Sequence, residues 1–467
     1  MLNTERTTLN LPEMEVNIKK VIFISAVGTL IEWYDFFVFG TLGTVVAPQF
    51  YDKSTGFGAI IYWLATFAVG FVVRPIGAIV FGIIGDRFGR KITFLTTLII
   101  MGTCTFLVGC LPTYNQVGDA AGALLIVLRI LQGLAIGGEY GGATTYIAEH
   151  APPHRRGFYT SFIQVTATLG LLLALIIVLI VSTITGTVKF SEYGWRIPFL
   201  FSILLLGISL YIRLSLKETP MFKNLKNNGN ISKNPFMESF GKWQNAKIVL
   251  LSFFGATMGQ GAVWYTAQFY SLYYLQTIFH TPDTSSFIIM GVALLLAAPF
   301  YVLFGYLSDK YGRKLFMLLG LALSCILWYP IYMGMHHFRY NETATWEKIE
   351  STSIVMFVTL VYGPIAAYLV ELFPTSIRYT SLSLPYHVGN GIIGGFVPVV
   401  GLWAIQLTGN NFAGLWYPLV CAGTTFLVML FVSPETYKYD LYETPEDQRD
   451  QNLKDEGLVR YDTQDLN

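Results

Sequence analysis

Charge is what this sequence has least of. Asp, Glu, Lys and Arg make up 13% of its 467 residues, against about 25% in an ordinary soluble protein. So few charges cannot give a 52.3 kDa chain a water-facing surface. Cysteine is scarce as well. Cys104, Cys110, Cys325 and Cys421 all lie in apolar runs without a C-x-x-C spacing, which argues against a disulfide framework and for small packed side chains. No phosphate loop is present, which disfavours transport driven by ATP. The net charge is only +1, so no overall field points to nucleic acid as a partner. No nucleophile–base pair stands out, which speaks against an enzyme. Glu149, His150 and His154 cluster beside Pro152 and Pro153 at the end of an apolar run and do not read as metal ligands. No cofactor is expected.

What the chain has in excess is apolar sequence. Hydrophobic residues account for 53% and the mean hydropathy is +0.52. A spanning helix takes about 20 apolar residues, and twelve stretches can be laid out: 21–48, 57–85, 91–111, 120–149, 157–185, 194–216, 246–278, 284–308, 313–335, 351–374, 376–407 and 411–433. These runs are long and continuous, unlike the short alternating strands of a membrane barrel. The expected fold is an all-α membrane protein with twelve transmembrane helices. Its expected parts are an N-terminal segment (1–20), a six-helix bundle (21–216), a linker (217–245), a second six-helix bundle (246–433) and an acidic tail (434–467), mobile or briefly helical. Alternate loops differ sharply in basic charge. Twenty-three Lys and Arg fall on one side, five on the other, and Arg74 and Arg129 lie within spans, which accounts for all 30. By the positive-inside rule both termini are expected in the cytoplasm.

The two halves repeat each other. Residues 85–91 read G-D-R-F-G-R-K and 308–314 read S-D-K-Y-G-R-K, placing Asp86 and Arg90 opposite Asp309 and Arg313 at an offset of 223. Independently, Glu149, Pro152 and Arg156 spell E-x-x-P-x-x-x-R, as do Glu371, Pro374 and Arg378, at an offset of 222. A parallel duplication of six-helix units is the architecture of transporters that rock two halves about a midplane site. An aspartate in such a loop can face a neighbouring helix N-terminus or a basic residue. These eight charged residues are therefore the candidate gate, their contacts forming in one state and breaking in the other.

Five ionisable residues lie inside spans of the N-terminal half: Glu32, Asp35, Arg74, Arg129 and Glu139. Such residues are costly in lipid and mark function. Pairing three acids with two arginines leaves one carboxylate over, which in a low dielectric would hold a proton. Glu32 and Asp35 are three apart and share a helix face. Arg129, Gly133 and Gly137 recur every four residues, giving the arginine a smooth side for close helix contact. Arg74 could neutralise a solute carboxylate or be the static partner of Glu32 or Glu139.

Candidate solute contacts come from polar and aromatic stripes. In 259–270 Gln260, Trp264 and Gln268 recur every four residues, as do Tyr265, Phe269 and Tyr273. An aromatic wall with a few amides suits a small organic solute. Gln164 and Thr168 in the fifth span, and Tyr386, His387 and Asn390 in the eleventh, supply facing polar groups. Arg74, Gln164, Trp264, Tyr265, Gln268, Tyr386 and Asn390 are the prioritised set.

The sequence G-x-x-G-D-R-x-G-R-K at 82–91, its echo around Asp309, and R-x-x-x-G from Arg129 resemble the major facilitator superfamily. The stretches I-E-W-Y-D-F-F at 31–37, R-I-L-Q-G-L-A-I-G-G-E-Y-G-G at 129–142 and E-L-F-P-T-S-I-R-Y-T-S at 371–381 resemble its metabolite:proton symporter branch, which includes carriers of citrate, 2-oxoglutarate, shikimate, and proline or betaine. The resemblance covers roughly 21–433. It implies a helix-1 acid facing a helix-4 arginine in proton coupling, positions held by Asp35 and Arg129, with Glu139 in the branch's G-G-E. The long C-terminal coiled coil of osmoregulatory members is not evident. The resulting expectation is a monomeric, proton-coupled symporter of a small organic acid in the lipid bilayer of the cell membrane. A zwitterionic osmolyte is the alternative solute, and a non-transporting solute sensor the more distant reading.

Overall fold

The computed structural model describes residues 18–52, 57–88, 90–138, 140–214, 237, 240–338, 344–373 and 378–439. Glu139 and Pro374 lie outside them, as do the side chains of Asp86, Arg90 and Glu149 and most of the expected linker.

Among the described residues nine helices are long and apolar enough to cross a membrane. A tenth span is a bent pair, and two shorter apolar helices, Leu95–Cys110 and Arg196–Ile212, complete the twelve expected. In chain order, span 1 is Ile18–Thr41 followed by Gly43–Phe50. Span 2 is Phe57–Val72 with Arg74–Phe88, span 3 is Arg90–Cys110, and span 4 is Ala120–Gly137 with Tyr140–His150. Spans 5 and 6 are Arg156–Lys189 and Arg196–Leu214. Span 7 is Trp243–Thr277, span 8 is Asp283–Tyr311, span 9 is Arg313–Phe338 and span 10 is Ala344–Leu372. Span 11 runs from Arg378 to Thr408 and span 12 is Trp416–Phe431. Large apolar side chains such as Ile76, Val127, Leu204, Leu295 and Ile326 stand exposed around the bundle. In water they would form an aggregation surface; in lipid they are the solvent-facing side.

Local breaks shape the interior. Span 1 bends by 70° between Thr41 and Gly43. A methyl group on Gly40 would strike the Phe269 ring and one on Gly43 the Tyr273 hydroxyl, so the bend brings span 1 onto span 7 across the two halves. Span 2 turns at Val73, immediately before Arg74-Pro75. Proline lacks an N–H and clashes with the carbonyl four residues back, so this break has a sequence cause. Spans 2 and 4 approach closely on glycine: a methyl on Gly133 would meet the Gly70 carbonyl and one on Gly137 the Arg74 carbonyl. The glycine stripe expected after Arg129 is thus a helix-contact stripe. Spans 7 and 11 carry wide π turns at Phe253–Thr257, Thr266–Tyr270 and His387–Gly394. Such turns concentrate at functional sites.

The halves meet along aromatic rings. Phe37 stacks on Trp264 at 5.1 Å, Phe71 meets Tyr265 edge-on at 5.1 Å, and Phe67 lies 5.2 Å from Phe269. Toward the ends of spans 1 and 7, Tyr273 donates to the Gly40 carbonyl (2.6 Å). There Thr44 and Gln276, from opposite halves, both donate to Asp283 (3.0 and 2.8 Å). At the other face the ring of Tyr140 lies flat on that of Tyr386 at 3.5 Å. The halves are therefore in contact on both sides of the midplane.

Candidate functional site

Arg74 sits where the break in span 2 turns it inward, and it is fully buried. Its guanidinium lies over Phe71 at 4.3 Å, Phe36 at 4.5 Å and Trp33 at 5.7 Å. Tyr265 is a polar neighbour. The two approach each other at the edge of hydrogen-bonding geometry, and among the described residues neither the three nitrogens nor the Tyr265 hydroxyl makes a well-formed hydrogen bond. Glu32 lines the same cavity as Arg74, and Glu139, the other acid expected beside it, lies outside the described residues. Rings attract a desolvated cation by about 2 kcal/mol or more, but they leave its donors unsatisfied.

Beside Arg74 lies a cavity whose walls include Glu32, Trp33, Tyr140, Tyr386 and His387. Its volume is ≈ 30 Å³, room for about two waters. Glu32 and Trp33 come from span 1, Arg74 from span 2, Tyr140 from span 4, and Tyr386 and His387 from span 11. Both halves thus contribute to one small chamber. Gln164 reaches it through Tyr140, to whose hydroxyl its amide donates at 3.1 Å, and the Tyr386 hydroxyl bonds that of Tyr362 at 2.9 Å. His387 shares the eleventh-span stripe noted in the sequence but was not among the prioritised residues; its neighbour Tyr386 was the available signal.

The remaining solute candidates lie apart from this chamber. Asn390 donates to Gln260 at 2.9 Å. The Trp264 indole N–H and both polar atoms of the Gln268 amide are buried without hydrogen bonds among the described residues. Span 7 does not keep the even four-residue stripe expected of it, because the π turn from Thr266 changes the repeat before Gln268 is reached.

Arg129 is fully buried and donates to Gln132 (2.8 Å), whose amide in turn donates to Thr105 (2.8 Å). Its guanidinium lies over Phe36 at 4.2 Å, Phe39 at 4.3 Å and Phe67 at 5.1 Å. Residues 36 and 39 are three apart and share the face turned to span 4, and Asp35, four before Phe39, borders that face. Phe36 serves both arginines.

On the face carrying the basic loops, Asp309 does what the sequence expects of such an aspartate. Its two oxygens accept the backbone N–H groups of Gly157 and Phe158, each at 2.8 Å, at the positive end of span 5 in the other half. Arg313 holds Asp309 at 2.7 Å and Glu371 at 3.1 Å, and Arg156 of the N-terminal half lies 3.9 Å from Glu371. Arg378 instead donates to the Phe373 carbonyl (3.0 Å).

The segment after span 12 joins this cluster, where a mobile or briefly helical tail was expected. Glu435 accepts the N–H groups of Arg313 and Lys314 (2.8 and 3.0 Å), Thr436 donates to Glu371 (2.7 Å), and Arg156 donates to the Tyr439 carbonyl (2.7 Å). The acid and hydroxyl of Glu435-Thr436 satisfy groups that would otherwise be buried without partners. The signal was present, since an acid follows the last span directly and faces the basic 310–314 loop.

Twelve apolar helices in two halves, charged loops that lock the halves together and a buried chamber between them define a membrane transporter. The family model described as Sugar (and other) transporter matches residues 21–233 and 224–447, and the chain belongs to this family of the major facilitator superfamily. Among similar proteins, the glycine betaine/proline/ectoine/pipecolic acid transporter OusA of Dickeya dadantii is 30% identical over 90% of this chain and 84% of its own length. The inner membrane metabolite transport protein YhjE of Escherichia coli is 32% identical, covering 88% of this chain and 93% of its own. A putative proline/betaine transporter of Staphylococcus haemolyticus is 31% identical over 90% of this chain and 88% of its own. Among solved structures, a D-xylose-proton symporter superposes with a TM-score of 0.69 at 19% identity, covering 90% of this chain and 98% of its own. That likeness concerns the fold. Relatives and fold neighbours are transporters, not enzymes.

Proposed function

We propose that this protein is a proton-coupled symporter of a small zwitterionic solute of the betaine or proline type, working by alternating access in the cell membrane with the basic face in the cytoplasm. The carrying observation is the polarity of the chamber. One pole is a buried guanidinium with open donors, which suits a carboxylate. The remaining wall is mainly aromatic and aliphatic, with Trp33, Tyr140 and Tyr386 beside Ile136 and Ile163, and carries the Glu32 carboxylate and His387. Aromatic rings favour a quaternary ammonium. A dicarboxylate of the kind first expected would place its second negative charge among those rings and beside Glu32. The names of the relatives support the same preference. The proton carriers proposed are the acids of the N-terminal half, Glu32, Asp35 and Glu139, acting beside Arg129.

Solute counterflow in proteoliposomes tests the reading. Labelled betaine should be displaced by proline but not by succinate or citrate. In the same vesicles Asp35→Asn should impair uphill uptake more than counterflow. Displacement by succinate in preference to proline would restore the organic-acid reading, and equal loss of both activities would make Asp35 structural.

A further inference from the structure

The chamber has an unsatisfied polar group on each half. Arg74 represents the N-terminal half. His387 represents the C-terminal half, buried to 1% exposure at the first position of the π turn in span 11. Both ring nitrogens of His387 lack a hydrogen bond among the described residues. Its nearest polar neighbour is the Gly137 backbone, at a geometry short of a well-formed hydrogen bond. The ring is set edge-on to Tyr386 at 5.6 Å, which fixes its direction.

Span 11 is shaped to lie along Arg74. One turn beyond His387, a methyl on Gly391 would come within 3.4 Å of the Arg74 Cδ, and one on Gly395 would strike the Phe71 ring. The eleventh span therefore presents His387, then two glycines, to the segment of span 2 that carries Arg74. Arg74 and His387 share a cavity wall, yet they do not bond to each other. A guanidinium has only donors, and an imidazole always offers at least one. What satisfies both at once is a third group with acceptor sites pointing two ways, and a carboxylate has about four lone-pair sites on two oxygens.

We propose that Arg74 and His387 form a two-sided clamp for the solute carboxylate, Arg74 from the N-terminal half and His387 from the C-terminal half. The proposal rests on the reading above for the identity of the solute, but not for the carboxylate itself. A bound carboxylate then ties the halves together at the chamber. His387 acts as a specificity-determining residue, because a solute bearing a hydroxyl in place of the carboxylate satisfies one side at most.

The test is equilibrium binding to the purified full-length protein, with the His387→Ala and His387→Gln variants, using betaine and choline as probes. Choline keeps the ammonium pole and lacks the carboxylate. Loss of one hydrogen bond to a charged group should weaken betaine about tenfold in His387→Ala. His387→Gln, which keeps an N–H donor, should retain most of the affinity, and choline should change less than about twofold. Equal losses for betaine and choline, no loss of betaine in His387→Ala, or no recovery in His387→Gln overturns the clamp. If the wild type binds succinate and not betaine, the zwitterion reading fails, and the same variants judge the clamp on succinate. Wild-type binding of no carboxylate overturns both.

Discussion

Arg74→Met will abolish measurable betaine binding without lowering the melting temperature of the solute-free protein. The two halves of this result have one cause. In the solute-free structure the guanidinium is fully buried, with the Tyr265 hydroxyl beside it but no well-formed hydrogen bond among the described residues. A buried charge without acceptors costs several kcal/mol, and the three rings above it return about 2 kcal/mol or somewhat more. Methionine fills similar length at neither cost nor gain. A solute carboxylate, by contrast, makes charge-assisted hydrogen bonds of about 1.5–3 kcal/mol each with this group. Losing two lowers affinity by at least about 100-fold. Calorimetric binding and a thermal melt of the same sample read both effects. A clear fall in melting temperature with betaine binding retained would make Arg74 a structural residue.

Glu371→Gln will open the basic face. The Glu371 carboxylate, buried at 3% exposure, takes Arg313, Thr436 and the approach of Arg156. Removing one charge from a buried network leaves the others uncompensated, at about 3–5 kcal/mol. Arg156 and Arg313 come from different halves, so this cost falls on the closed arrangement and shifts the population toward the open one by about 100-fold or more. The change can be read at Ser161 of span 5, which packs against Gly305 of span 8. In a cysteine-free background carrying Ser161→Cys, Glu371→Gln should speed modification by an impermeant thiol reagent at least tenfold. An unchanged rate would show that the cluster is not a gate.

The spans and the repeat were legible because they rest on composition and spacing. The apolar runs between basic loops are the helices observed, and the aspartate of the repeated loop caps a helix of the other half at Asp309. Arg74 was legible because a charge inside an apolar run has no neutral explanation. Three other features depend on helix phase or on distant contacts, which a linear pattern does not carry. The π turns in spans 7 and 11 shift the phase, so Gln268 and Asn390 do not fall where a regular helix puts them. Arg129 meets Phe36 and Phe39 of span 1 and Gln132 of its own helix, contacts that no spacing in the sequence announces. Glu435 and Thr436 gain their meaning only from Arg313 and Glu371, more than 60 residues earlier in the chain.

Betaine uptake into proteoliposomes under an imposed inward proton gradient shows whether the protein moves a zwitterion with protons. Betaine should accumulate above its external concentration, and the accumulation should collapse when an uncoupler is added. Uptake that stays the same after the gradient is dissipated would contradict proton coupling.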